Sequence, residues 1–340
     1  VNSNLLPELP ARSANPGRVG ALEIAGLCIS RRERRQPISL VTDLSLSVAD
    51  GEIVGLVGES GSGKSLTALA CMGLLPRGVA ITAGDVRLGG ISLVGMERKK
   101  LRVLRGSSIS MIFQDPLASL DPCARIGSQM VETILAHKDI SAAEARKDAV
   151  ELLDRAGIPR AAERMRCYPH EFSGGMRQRV MIAAALVLKP RVLIADEPTT
   201  ALDVTTQAGI VELVLELRRE LDMAVIWISH DLGLVGQLAD RVAVMYAGEV
   251  VEVADVQHLF AVPRHPYTHG LIRSGRRGEF GARFGFIRGS VAEPGHWPGG
   301  CRFAPRCDRV LAGCDRHPEL ALLDKAGVRC INPMTGGSGQ

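Results

Sequence analysis

The residues Gly58-Glu59-Ser60-Gly61-Ser62-Gly63-Lys64-Ser65 follow the spacing G-x-x-x-x-G-K-[ST], a pattern that suits the phosphates of a nucleoside triphosphate. Gly58, Ser60, Gly61 and Gly63 let the backbone curl so that successive N–H groups face phosphate oxygens. Lys64 then reaches the terminal phosphates, and the Ser65 hydroxyl goes to Mg2+. Far along the chain, Val192-Leu193-Ile194-Ala195-Asp196-Glu197 is an apolar run that ends in two carboxylates. Asp196 suits the outer coordination of Mg2+, and Glu197 suits polarising a water for in-line attack on the terminal phosphate. Phe172-Ser173-Gly174-Gly175 stands before a helical pattern over 176–188, whose free N–H groups and dipole make a second anion site. One nucleotide needs two such sites only if they come from different protomers. Ile228-Ser229-His230-Asp231 ends another apolar run with a histidine placed to hydrogen-bond a terminal phosphate.

Such distant groups need a scaffold that brings them together. The β-branched run 52–57 before the glycine-rich loop reads as a buried strand, and 66–75 after it reads as a helix. Strand-like runs at 22–30, 40–48 and 85–88 surround this unit. Helical patterns dominate 126–188, including Ser141-Ala142-Ala143-Glu144, a capping box that opens an amphipathic stretch. Strand candidates return at 192–195, 224–228 and 242–246 with a helix at 205–221 between them, and that alternation implies parallel strands. The expected fold is therefore α/β, a mixed-sheet core over 21–260 with a helical subdomain at about 115–190. Residues 1–20 read as a mobile lead-in, and 261–340, rich in Pro, Gly, Arg and Cys, as an appended module.

Composition bounds the rest. At 340 residues, 46% hydrophobic and 23% charged, the chain is ordinary globular protein, and its net charge of +4 argues for neither nucleic acid nor a membrane surface as partner. No apolar stretch approaches a bilayer span, the longest being 180–188, and the start does not read as a signal peptide. The expectation is a cytoplasmic protein able to dock on membrane proteins, its eight cysteines reduced or bound to metal. Cys28, Cys71, Cys123 and Cys167 are scattered and read as small buried hydrophobes. Cys301, Cys307, Cys314 and Cys330 are clustered with spacing C-x5-C-x6-C-x15-C, which suits four thiolates on one metal centre without choosing the metal.

Taken in order, the motifs of roughly residues 20–260 resemble those of the ATP-binding subunit of ABC transporters, a P-loop NTPase cassette. Ser173-Gly174-Gly175-Met176-Arg177-Gln178 is similar to the family signature, and Ala201-Leu202-Asp203 to its D-loop. His230 matches its switch histidine, and Gln114 in Met111-Ile112-Phe113-Gln114-Asp115-Pro116 its Q-loop glutamine. The resemblance implies an ATPase with Glu197, His230 and Gln114 as catalytic groups and Mg2+ on Ser65, Gln114 and Asp196. It also implies a head-to-tail pair with a second ABC ATPase, copy or sister chain. Each ATP then lies between loop 58–65 of one chain and Ser173, Gly174, Gly175 and Asp203 of the other. The family's adenine-stacking aromatic has no counterpart, since no Phe, Tyr or Trp precedes Phe113. Ile29 and Arg31 are the nearest positional candidates, Arg31 by guanidinium stacking, and weak base discrimination is the expected consequence.

His265-Pro266-Tyr267-Thr268 with Leu271, followed by Gly300-Cys301-Arg302-Phe303-Ala304-Pro305-Arg306-Cys307, resembles the C-terminal extension of ATPases of oligopeptide and dipeptide importers. This likeness implies the energising subunit of a bacterial importer of di- or oligopeptides, peripheral on the cytoplasmic face of the inner membrane. Its implied partners are two integral-membrane permease subunits, a second ABC ATPase and, indirectly, an external substrate-binding protein, with no nucleic acid. Nickel complexes or glutathione are alternative substrates, and a soluble redox-regulated ABC ATPase is the reading from another class. In related subunits the four cysteines hold a [4Fe-4S] cluster, which the resemblance carries onto Cys301, Cys307, Cys314 and Cys330, with Zn2+ as the alternative.

Overall fold

A computed structural model describes residues 20–34, 36–115, 119–199, 204–275 and 287–335. The lead-in before Gly20 and the D-loop residues Ala201-Leu202-Asp203 lie outside the described residues. In chain order the strands are β1 (Leu22–Arg31), β2 (Ile38–Val48), β3 (Ile53–Val57), β4 (Val79–Leu88), β5 (Ile91–Ser92), β6 (Ile109–Ile112), β7 (Val192–Asp196) and β8 (Ala224–Ser229). Four more follow, β9 (Arg241–Tyr246), β10 (Glu249–Asp255), β11 (Ala321–Leu323) and β12 (Ala326–Val328). The helices are α1 (Lys64–Cys71), α2 (Arg98–Leu104), α3 (Ile126–Leu135), α4 (Ala142–Arg155) and α5 (Ala161–Arg164). After them come α6 (Gly174–Leu186), α7 (Val204–Leu221), α8 (Leu232–Leu238), α9 (Val256–Ala261) and α10 (Pro266–Gly275). Among the described residues no helix is long and apolar enough to cross a membrane.

The chain forms two compact units. One holds Glu23–Val48, Glu52–Arg87 and Trp227–Gln340. Its centre is β3, buried along its whole length, as expected of a strand covered on both faces. β9 lies beside it in parallel, with Val54 opposite Arg241 and Val57 opposite Val244. β10 returns antiparallel to β9, its register shifting between Val250 and Glu252. β12 pairs with β10, and β11 with β12. The segment expected as an appended module thus adds two strands to the sheet that carries the glycine-rich loop. In the second sheet β1 lies between β2 and β4. Leu44, Leu46 and Val48 of β2 point into the core while Ser45 and Ser47 face out, the period-two signature of a half-buried strand.

The other unit is mainly Leu88–Ile226, with the short segment Ala49–Gly51. β6 and β7 pair in parallel, Ile109 opposite Val192 and Ile112 opposite Ala195. Helices α3 to α6 fill the stretch between them, as the sequence pattern implied. The capping box of α4 is complete: the Ser141 hydroxyl accepts from the Glu144 N–H at 3.2 Å, and the Glu144 carboxylate accepts from the Ser141 N–H at 2.9 Å. Ala145, Ala149 and Leu153 form the buried stripe of that helix. Arg191 donates from Nε and Nη2 to the two Asp50 oxygens, both at 2.7 Å, fastening the 49–51 segment to the start of β7. Strand β8 passes from this unit into the first.

Candidate functional site

The glycine-rich loop begins where β3 ends and stops at α1. Gly58 allows close approach, because a Cβ there would lie 2.2 Å from the Met245 carbonyl oxygen. Gly63 caps α1 at φ +102°, a left-handed conformation that favours glycine. The loop is also pinned from β9–β10, where the Gly248 N–H donates to the Ser62 carbonyl at 3.0 Å. Lys64 is only 5% exposed. Its Nζ donates to the carbonyls of Gly58 at 2.8 Å and Glu59 at 2.9 Å, and to the Ser62 hydroxyl at 3.3 Å. Ser65, in the first turn of α1, is exposed, as are Ser60 and Gly61. A buried ammonium beside an open helix N-terminus gives this surface a positive potential, complementary to phosphate. His230, in the same unit, is exposed in the turn after β8. Asp231 holds that turn, its carboxylate accepting from the Leu234 N–H at 3.1 Å and its N–H donating to Ser229 at 2.9 Å.

In the other unit Asp196 is 4% exposed at the end of β7, and Glu197 follows it with φ +47°. A left-handed glutamate is uncommon and costs backbone energy; it turns the side chain out of the strand's alternation. The Gln114 amide nitrogen donates to Glu197 Oε2 at 3.2 Å, so two residues 83 positions apart meet as one polar pair. The Ser173 hydroxyl caps α6 by accepting from the Met176 N–H at 3.4 Å, and Ser173 and Gly174 are exposed at the helix tip. The helix therefore starts two residues earlier than its apolar pattern suggested. In the sequence Gln178 stands only as one position of the signature. It is buried, and its amide donates to the Pro198 carbonyl, which ties the signature helix to the turn after the carboxylates.

Two expectations need correction. Ile29 is fully buried in β1, so it offers no face to a base; core packing of the strand claims it. Arg31 is half exposed and pairs with Glu33 at 2.9 Å. Of the four scattered cysteines, Cys71 alone is buried, its thiol pushed up to about 12 by burial. Cys123 is exposed, and Cys28 and Cys167 are intermediate.

Cys301, Cys307, Cys314 and Cys330 are free thiols in the unit that carries the glycine-rich loop. The Cys301 N–H donates to the Cys314 carbonyl at 3.0 Å. Burial, followed by the charges of Cys301, Cys307 and Cys314, pushes Cys330 up to about 11. Burial likewise raises Cys301 and Cys307. Among the described residues no three or more His, Cys, Asp or Glu side chains are arranged to hold a metal ion. The donor chemistry of the four thiols fits a metal centre; their arrangement is not a ready-made coordination shell.

The phosphate loop after a buried parallel strand, with a strand-end carboxylate pair and a helical subdomain, defines a P-loop nucleotide-binding cassette. The model of the ABC transporter family matches residues 41–200, and that of the oligopeptide/dipeptide transporter C-terminal region matches 251–314. The oligopeptide transport ATP-binding protein OppD of Salmonella typhimurium is 44% identical over 97% of this chain and 98% of its own. The oligopeptide transport ATP-binding protein AppD of Bacillus subtilis is 46% identical over 91% and 96%. Among solved structures, the dimeric post-hydrolysis state of the ATP-binding cassette MJ0796, bound to ADP and Pi, superposes with TM-score 0.63 and 26% identity over 69% of this chain and 98% of that one. The chain belongs to the ATP-binding subunits of the oligopeptide/dipeptide branch of the ABC transporter family.

Proposed function

We propose that this chain hydrolyses ATP to drive the import of di- or oligopeptides through two integral-membrane permease subunits at the cytoplasmic face of the membrane. The observation that carries the catalytic part is the Gln114–Glu197 hydrogen bond beside buried Asp196. With its amide nitrogen on Glu197, Gln114 keeps its oxygen as a group that would ligate Mg2+, a role also assigned to the Ser65 hydroxyl and the Asp196 carboxylate. Bound there, Mg2+ would neutralise charge on the transferring phosphoryl group. Glu197 orients and deprotonates the attacking water, and His230 hydrogen-bonds the terminal phosphate. Loop 58–65 and Lys64 hold the triphosphate. The open tip formed by Ser173, Gly174 and Gly175 meets the nucleotide of a partner ATPase in a head-to-tail dimer, as does Asp203. Support for that pairing comes from the exposure of the tip in this chain and from the dimer described for the cassette MJ0796. Glu197→Gln should still bind ATP while turnover falls by about a hundredfold or more, and should accumulate as an ATP-bound dimer in light scattering. Turnover at the original rate would remove Glu197 from the role of base.

We further propose that Cys301, Cys307, Cys314 and Cys330 together hold a [4Fe-4S] cluster, with Zn2+ as the competing occupant. A cationic centre stabilises neighbouring thiolates that otherwise repel, so its binding lowers the thiol pKa values and releases protons. Phosphoryl transfer needs no electron carrier, so the role assigned to these cysteines is structural or redox-sensing.

A further inference from the structure

Glu59, the second residue of the glycine-rich loop, is gripped from two sides by the C-terminal segment. Arg306 donates to its carboxylate twice, Nη1 to Oε2 at 2.8 Å and Nη2 to Oε1 at 3.1 Å. The Glu59 backbone N–H donates to the Tyr267 hydroxyl at 2.9 Å. Both gripping residues are themselves fixed. Tyr267 is fully buried, with ring centroids 4.7 Å from Tyr246 and 5.4 Å from Phe303. The Arg306 side chain is 7% exposed, and it also donates to the carbonyls of Arg288 at 2.8 Å and Gly289 at 3.1 Å. A forked guanidinium–carboxylate pair sets orientation as well as distance. Sheltered from water, it is also stronger than a surface pair. The third polar group of Glu59, its carbonyl, accepts from Lys64 Nζ. One residue therefore links the extension to the lysine of the loop.

We propose that Arg306 is a positioning residue for nucleotide binding: with Tyr267 it holds Glu59, and through Glu59 it keeps loop 58–65 and Lys64 in the shape that receives a triphosphate. The inference rests on the reading of that loop as the nucleotide site. Arg306 closes the turn Ala304–Arg306, which opens with the Ala304 N–H on the Cys301 carbonyl at 3.0 Å, and Cys307 follows directly. Whatever orders those two thiols orders the arginine between them.

The test uses the full chain, a fluorescent ATP analogue for binding and steady-state ATPase kinetics. Arg306→Gln should raise the Kd for the analogue and the KM for ATP by about tenfold, the scale of one lost charged hydrogen-bonding pair, and should change KM more than kcat. Arg306→Lys should recover part of the affinity. Tyr267→Phe, which removes one hydroxyl and keeps the ring packing, should weaken binding less, in the same direction. Glu59→Gln combined with Arg306→Gln should be no worse than the poorer single variant, because both break one pair. An unchanged KM in Arg306→Gln, a loss confined to kcat, or fully additive effects in the double variant would overturn the proposal. Lys64→Ala separates the two readings. If it retains nucleotide binding, the loop is not the site; if it loses binding while Arg306→Gln matches the wild type, the clamp alone is wrong.

Discussion

The glycine-rich loop and the four-cysteine segment occupy the same unit and meet through Glu59 and Arg306, yet they are prepared to different degrees for the ligands proposed for them. The loop is shaped by its own backbone: Gly58 leaves room for the Met245 carbonyl, Gly63 turns left-handed, and Lys64 is held by three oxygens. The cysteines share one segment, where the Cys301 N–H donates to the Cys314 carbonyl at 3.0 Å, but among the described residues no coordination shell is preformed. An anion site made of fixed dipoles and a buried ammonium carries its charge in the fold. A thiolate site gains its charge only as the cation arrives, because buried thiols stay protonated and thiolates repel.

Removing the fixed charge is the most severe test of that contrast. Lys64→Ala should reduce affinity for a fluorescent ATP analogue by about a hundredfold or more, the loss of a charge-assisted contact in a sheltered site. Thermal stability should change by less than the affinity, because the Gly58 and Glu59 carbonyls lose their Nζ donor while the glycine turns at Gly58 and Gly63 remain. Equilibrium titration reads the first quantity and a melting curve the second. Near-native affinity would mean that the loop is not prepared for phosphate by its charge, and the comparison would fail.

The same contrast separates what could be read in the sequence from what could not. Loop 58–65, β3, β7 and the α4 capping box depend on neighbours in the chain, and their spacing alone announced them. β10 was invisible because its pattern is broken by Glu249 and Glu252, which are nonetheless buried. Glu249 pairs with Arg302 at 3.0 Å and His317 at 2.6 Å. Glu252 accepts from the N–H groups of Arg264 at 2.7 Å and His265 at 2.8 Å. Their partners are local only in space, and burial of a charge is tolerated only with partners of that kind. The carboxylates at 196–197 were legible, but the meeting of Glu197 with Gln114 was not. The clamp on Glu59 comes from 208 and 247 positions away, beyond any periodicity.

The cysteine segment gives the next largest effect. Protein purified without oxygen should be brown, with absorbance in the visible blue, and should carry iron and sulfide. Cys307→Ser should bleach it and lower the melting temperature, because ligand binding to the native state is folding free energy. Nucleotide affinity should fall less than in Lys64→Ala. A colourless wild-type protein with stoichiometric zinc would replace the cluster by a zinc site. A sample free of both metals, with Cys307→Ser equally stable, would leave the thiols as packing and end the contrast.

The smallest effect probes the junction between the two regions. His265 is buried, its Nδ1 accepts from the Tyr267 N–H at 3.1 Å, and its ring lies 5.8 Å from Phe303. Burial lowers its pKa from the ordinary 6.5 to about 3. The unfolded chain then takes up a proton below about pH 6.5 that the folded chain refuses, so His265 contributes stability in full above that pH and loses it as pH falls. The slope is at most about 1.4 kcal/mol per pH unit. Glu252, raised by burial, acts with the opposite sign: its contribution is present below its unfolded pKa and lost as pH rises through the raised folded value. The fall therefore begins near pH 6.5 and flattens as Glu252 protonates. Urea denaturation between pH 7.5 and about 5 should follow that course, and His265→Asn, which keeps an acceptor and removes the titration, should flatten the upper part. A wild-type profile without slope there would mean that the imidazole accepts its proton in the folded state, and that the junction is more open to water than the packing of Tyr267 and Phe303 implies.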